Sequence, residues 1–90
     1  MKKILVTGGT TFVSKYTAEY FVNRNYEVYV LNRNSKPQIC GVKLIEGDRH
    51  HLGEVLKDIH FDVVADITAY TANDISDLYA ALGSFEQYIM

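Results

Sequence analysis

Four short groups of residues in this chain have types and spacings that can do chemistry. The first is Thr7-Gly8-Gly9, entered from the apolar run Ile4-Leu5-Val6 and followed at once by a helix-like segment. Strand, glycine turn and helix start together make a phosphate site. Glycine lets backbone approach an anion closely, while free N–H groups and the positive end of the helix dipole face it. Gly8, Gly9, Thr10, Thr11, Phe12 and Val13 are therefore expected around the phosphates of a bound nucleotide or dinucleotide. The second group, Asn32-Arg33, stands where a dinucleotide site usually carries an acid for the adenosine ribose hydroxyls. The Asn32 amide can still bond a hydroxyl and does not repel a 2′-phosphate. Arg33 can grip that phosphate through two parallel N–H bonds, although an exposed loop start explains it equally well. This tilts the expected cofactor toward NADP over NAD.

The third group is Glu46-Gly47-Asp48-Arg49, and the fourth is Asp62-Val63-Val64-Ala65-Asp66-Ile67-Thr68-Ala69-Tyr70. Asp48 lies at a strand end, on the edge where open α/β sheets bind ligands, and it is also a good helix N-cap. Asp66 is a carboxylate inside an apolar strand, so it needs a partner or an opening.

Alternating strand and helix patterns position these groups. Strands are expected over Ile4–Thr7, Glu27–Leu31, Val42–Glu46, Phe61–Thr68 and Phe85–Met90. Helices are expected over Ser14–Arg24, with Tyr16, Tyr20 and Phe21 inward and Val13 and Ala18 adding small apolar contacts; over His51–Ile59, with Leu52, Val55, Leu56 and Ile59 on one face; and over Asn73–Leu82, with Ile75, Leu78, Tyr79 and Leu82 inward. Asn25 suits a left-handed helix end, and Gly83 closes the last helix. Residues 32–41 hold the chain's one proline and read as a loop. Strands alternating with helices imply a parallel sheet covered on both faces. The expected fold is a doubly wound α/β unit with strand order 3-2-1-4-5.

Composition narrows the functional classes. Ninety residues with 48% hydrophobic and 22% charged residues fit one small folded domain. A net charge of −2 argues against non-specific nucleic-acid binding. No apolar run approaches the ~20 residues of a membrane span. The lone Cys40 precludes an internal disulfide and fits a reducing cytoplasm. Adjacent histidines at 50 and 51 diverge on a helix, so they are expected at the surface and not on a metal. Residues Gly9–Tyr16 fall on the GxxxxGK[ST] spacing, but Ser14 replaces its second glycine and Tyr16 its magnesium-binding hydroxyl. A phenol cannot serve at that reach, which argues against an NTPase.

The segment Thr7–Ser14 resembles the TGGTGFIG turn of extended short-chain dehydrogenases, the NAD-dependent epimerase/dehydratase family. Two of its glycines are replaced here, by Thr11 and Ser14. Glu46–Arg49 resembles the family's GD motif, and Asp62–Tyr70 its DVVxHLAA strand, with Asp66 in place of His. The resemblance implies a Rossmann-type domain that binds NAD(P), with Asp48 and Arg49 at the adenine and Thr68 and Ala69 beside the ribose. It also implies a small-molecule substrate, a nucleotide sugar or similar carbonyl or hydroxyl compound, handled by hydride transfer in the whole protein.

The family's catalytic Tyr-x-x-x-Lys pair has no match, since no tyrosine here has Lys four residues on. Residues 1–90 are thus expected to be the cofactor-binding first half of the fold, truncated after its fifth strand and without catalysis of their own. An exposed fifth strand would favour self-association. The Gly8-Gly9-Thr10-x-Phe12 form of the turn also resembles atypical members such as chloroplast stem-loop-binding proteins. A non-catalytic NADP-sensing or RNA-binding module is accordingly the alternative.

Overall fold

Ile4, Leu5 and Val6 have no solvent exposure on either face of β1 (Lys3–Thr7), which a computed structural model puts at the centre of a parallel sheet. The structure describes residues 1–10, 12–34, 36–69 and 71–89. Thr11, expected at the phosphates, and Met90, expected in the last strand, lie outside them. The other strands are β2 (Glu27–Asn32), β3 (Val42–Glu46), β4 (His60–Ala65) and β5 (Ser84–Ile89). Their order is β3-β2-β1-β4-β5, all parallel, as the alternation predicts. One face carries α1 (Phe12–Asn23), whose Ala18 packs with Ile4, Val6, Val28 and Val30. The other carries α2 (Ala72–Ala81), whose Leu78 joins Leu5, Leu56, Phe61 and Val64. The sheet is doubly wound, so the crossovers change face between β1 and β4 and leave a crevice at the strand ends.

Helix ends follow local chemistry. Asn25 is left-handed (φ 65°), Tyr26 N–H donates to Phe21 O at 3.0 Å, and Asn25 N–H to Val22 O at 3.1 Å. These two bonds close α1 as a Schellman motif, and Tyr26 stacks edge-on against Phe21 to seal it. At the start of α2, Thr71 and Asp74 form a reciprocal capping box. No basic residue sits in the last turn of α2, and Lys57 from another segment supplies the cation, donating to Ala80 O at 2.5 Å.

Several expectations are corrected. Tyr16 and Tyr20 are exposed (78% and 51%), and so is Val13; the buried residues of α1 are Ser14 and Ala18. The helix lies close above the glycine turn and β1, so small residues face the sheet and the tyrosines turn outward. Tyr79, expected inward on α2, is also half exposed. Residues 51–59 form no helix. They make a run of overlapping four-residue turns, with Lys57 N–H to Glu54 O at 3.1 Å and Ile59 N–H to Leu56 O at 3.3 Å. Gly53 breaks helical propagation with φ 60°. Leu52, Leu56 and Ile59 still pack inward but Val55 is 56% exposed, so the apolar pattern foretold burial at three of its four positions and not the element. The fourth strand ends at Ala65, before Thr68, because Ile67 and Thr68 donate their N–H groups to the Thr7 hydroxyl and not to a neighbouring strand.

Gly83 is needed for space, not for a left-handed turn. A Cβ there would sit 2.1 Å from the Lys57 carbonyl oxygen, whereas one at Gly53 would meet nothing within 4 Å. Gly83→Ala should lower stability by about 2 kcal/mol, as overpacking against fixed backbone does. Gly53→Asn, which tolerates the left-handed region, should be close to neutral. Urea unfolding of the two variants checks the contrast.

Candidate functional site

The β1 strand runs into Gly8 (φ 90°) and Gly9 (φ 92°), a conformation that side-chain-bearing residues rarely adopt. Space excludes a side chain at Gly9 as well, since a Cβ would lie 2.7 Å from Val30 Cγ1. The turn is tied to β2 by Gly8 N–H donating to Leu31 O at 2.8 Å. Asn32 ties it a second time, its Nδ2 donating to Gly8 O at 2.6 Å. Phe12 opens α1 at φ 40°, a conformation costly for a bulky residue, by about 1–3 kcal/mol. No acid occupies the first turn of α1, so no carboxylate there compensates its positive end. Ser14, which stands at a family glycine, is buried against Gly8, where a larger side chain would not fit.

A cavity of about 290 Å³ opens at the C-terminal ends of β1 to β4. Of the expected residues it gathers Gly8, Asn32, Arg33, Asp48, Arg49 and Thr68. Gly9, Thr10, Phe12, Val13 and Ala69 do not line it; Phe12 and Val13 are exposed on α1 beside the turn. Its volume is at the small end of the ~300–1,000 Å³ typical of ligand sites, room for part of a dinucleotide.

The floor of the cavity is a buried polar network. Asp66, 2% exposed, receives the Arg49 guanidinium through two bonds, Nη2 to Oδ2 at 2.6 Å and Nη1 to Oδ1 at 3.0 Å. The Thr7 hydroxyl donates to Oδ1 at 3.0 Å, and the Tyr88 hydroxyl donates to Oδ2. Arg49 also donates to Asp74 O at 3.0 Å and Thr68 Oγ1 at 3.2 Å. Burial opposes the charge on Arg49, but the Asp66 carboxylate bonded to it prevails and raises its pKa. Burial first, then the bond to Asp66, pushes the Tyr88 phenol up as well. Asp66 thus has its partners inside the fold.

At the rim, Arg33 Nη2 donates to Asp48 Oδ2 at 3.0 Å. Asp48 Oδ1 accepts the His50 N–H at 2.9 Å, so Asp48 caps a turn, not a helix. That backbone bond, with Arg33, His50 and His51 nearby, holds the Asp48 carboxyl below its usual range. The Asn32 amide is fully engaged. Beyond Gly8 O, its Nδ2 donates to Gln38 Oε1 at 3.0 Å, and its Oδ1 accepts from Asn34 N at 2.8 Å and Gln38 Nε2 at 3.2 Å.

Sequence reasoning singled out Asp66 and Arg49 separately but missed that they pair. It also missed the bonds of Thr7 and Tyr88 to Asp66, made over long sequence separations that no local pattern signals, and the local bond of Gln38 to Asn32. His50 is exposed as expected, and has its Nδ1 2.5 Å from Asp77 Oδ2 and its Nε2 3.0 Å from Asp74 Oδ1. His51 is exposed as expected. Among the described residues, no group of three or more His, Cys, Asp or Glu side chains forms a metal site. No helix there is long and apolar enough to cross a membrane.

With this geometry in place, comparison with known proteins identifies the lineage. The profile of the NAD dependent epimerase/dehydratase family matches residues 4–83. The chain belongs to that family. Membership implies NAD(P) binding, and the left-handed glycine turn, with Gly8 lining the strand-end crevice, fits the phosphates of such a cofactor. The chain is also 29% identical, over 106 aligned positions, to the chloroplast stem-loop binding protein of 41 kDa b of Arabidopsis thaliana. That match covers 98% of this chain and 28% of the relative, so the chain spans less than a third of that protein's length.

Two outcomes follow from the network. Asp66→Ala strips a buried guanidinium of its counter-charge and should cost about 3–5 kcal/mol, read by urea unfolding; Asp66→Asn should cost less. His50 has its pKa raised from 6.5, chiefly by the bond to Asp77. Its contribution is therefore complete below pH 6.5 and is lost as pH rises through the higher folded value. The melting temperature should fall over that interval in the wild type and fall less in His50→Gln.

Proposed function

We propose that residues 1–90 are the NAD(P)-binding portion of an epimerase/dehydratase-like protein, with NADP the favoured form. The observation that carries this reading is the turn of two left-handed glycines at the β1 C-terminal edge, whose Gly8 lines the crevice. Gly8, Gly9, Thr10, Thr11, Phe12 and Val13 surround the pyrophosphate beside it, Gly8 by close backbone approach only, since its N–H is donated to Leu31 O. Arg33 pairs with a 2′-phosphate, Asp48 accepts a bond from the adenine amino group, and Thr68 and Ala69 pass beside the ribose. Asn32 acts indirectly. Its amide bonds are spent fixing the turn and the loop after β2, and it offers no charge that would repel a phosphate.

When bound, the nicotinamide supplies reversible redox chemistry at a carbonyl or hydroxyl carbon, as on a nucleotide sugar. The residues for proton transfer come from outside this chain, which has no tyrosine with Lys four residues on. The exposed, unpaired Cys40 fits a reducing compartment such as the cytoplasm. A second reading, a non-catalytic NADP-sensing or RNA-binding module, draws on the relative named for stem-loop binding and on Thr11 and Ser14 replacing family glycines. The net charge of −2 weighs against its RNA form.

Parallel calorimetric titrations of NADH and NADPH into the chain test the proposal. Both should bind, NADPH more tightly, and purified residues 1–90 should turn over no sugar nucleotide. Arg33→Met, at a side chain 74% exposed, should leave the fold intact and abolish the NADPH preference. Binding of neither cofactor would sink the reading, and RNA binding in its place would establish the second.

A further inference from the structure

Arg33 and Asp48 reach the cavity rim from different loops, after β2 and after β3, and meet at 3.0 Å. One is expected to take the 2′-phosphate and the other the adenine, yet each occupies the other. We propose that Asp48 is a specificity-determining residue that discriminates against the 2′-phosphate by holding the Arg33 guanidinium that would otherwise receive it.

This inference rests on the cofactor reading above and deepens it. The Asp48 carboxylate is fixed independently of Arg33, because its other oxygen accepts the His50 N–H at 2.9 Å. Asp48 therefore stays in place when Arg33 moves, and a 2′-phosphate must displace a stationary carboxylate from Arg33. The Arg33 side chain is 74% exposed and that of Asp48 32%, so the pair is screened by water and weak enough for a dianion to break. The contest is consequently reversible, and the choice between the two cofactors depends on both residues. The adenine contact is common to NADH and NADPH. Its loss cancels in the ratio of their affinities, which leaves the contest for Arg33 and direct repulsion of the phosphate by the carboxylate, and the Arg33→Met background separates the two.

The test is titration of NADH and NADPH into the wild-type chain, Asp48→Asn, Arg33→Met and the double variant. Asparagine can still accept the His50 N–H, so the local turn survives; circular dichroism of each variant checks the fold. Asp48→Asn should raise the NADPH-to-NADH affinity ratio about fivefold in the wild-type background and by less than twofold in the Arg33→Met background. An unchanged ratio in Asp48→Asn overturns the proposal while leaving cofactor binding established. An equal rise in both backgrounds also overturns it, because plain repulsion between carboxylate and phosphate then accounts for the effect. If none of the four proteins binds either cofactor, the cofactor reading itself fails and takes this inference with it.

Discussion

Everything at the crevice depends on the buried contact between Asp66 and Arg49. A carboxylate this deep would be costly alone, and a guanidinium beneath a small cavity no less so. Together, with hydroxyls from Thr7 and Tyr88 completing the carboxylate's bonds, they become a rigid joint. Its members come from the end of β1, the loop after β3, the segment after β4, and β5. Arg49 then reaches on to Asp74 at the start of α2. A single charge pair thus fixes four strand ends and one helix at the crevice. Such pairs are often no more stabilising than apolar packing of the same volume, but breaking one from either side is expensive. Its value here is positional.

A second constraint acts on the phosphate turn. Two successive left-handed glycines are entropically costly to order, and their shape must be held from outside. The Leu31 carbonyl and the Asn32 amide do this from β2, while Val30 presses against Gly9 from beneath. An acid at position 32 could not donate to Gly8 O. The amide therefore links the shape of the turn to the loop after β2 in a way a carboxylate cannot, which gives an amide rather than an acid at this position a physical reason.

The strands and their order were legible because parallel strands buried on both faces read as continuous apolar runs, as Ile4–Val6 and Val63–Ala65 do. The end of α1 was legible because Asn25 performs a local task. The phase of α1 was not. Periodicity weighs large apolar side chains, whereas closeness to the glycine turn selects Ser14 and Ala18 and expels Tyr16 and Tyr20. Residues 51–59 misled in the same way, because Leu52, Leu56 and Ile59 must be buried by any conformation and Gly53 decides which one. At the site, individual residues were visible and their pairings were not. Asp66 demands a partner from its sequence context alone, but only the sheet's crossovers bring Arg49 to it.

Floor and rim of the crevice differ in how firmly they are held, and this divides their roles. The Arg49 side chain is 11% exposed and its pair with Asp66 is not open to exchange with a ligand. Disrupting it costs about 3–5 kcal/mol, on the scale of a small domain's whole stability. The Arg33 side chain is 74% exposed, and a pair in such a setting contributes about 0–1 kcal/mol. A ligand can therefore rearrange the rim for less than its own binding energy while the floor stays in place. Substitution at the rim therefore leaves the fold in place, because the rim residues are not the ones that hold the sheet ends together.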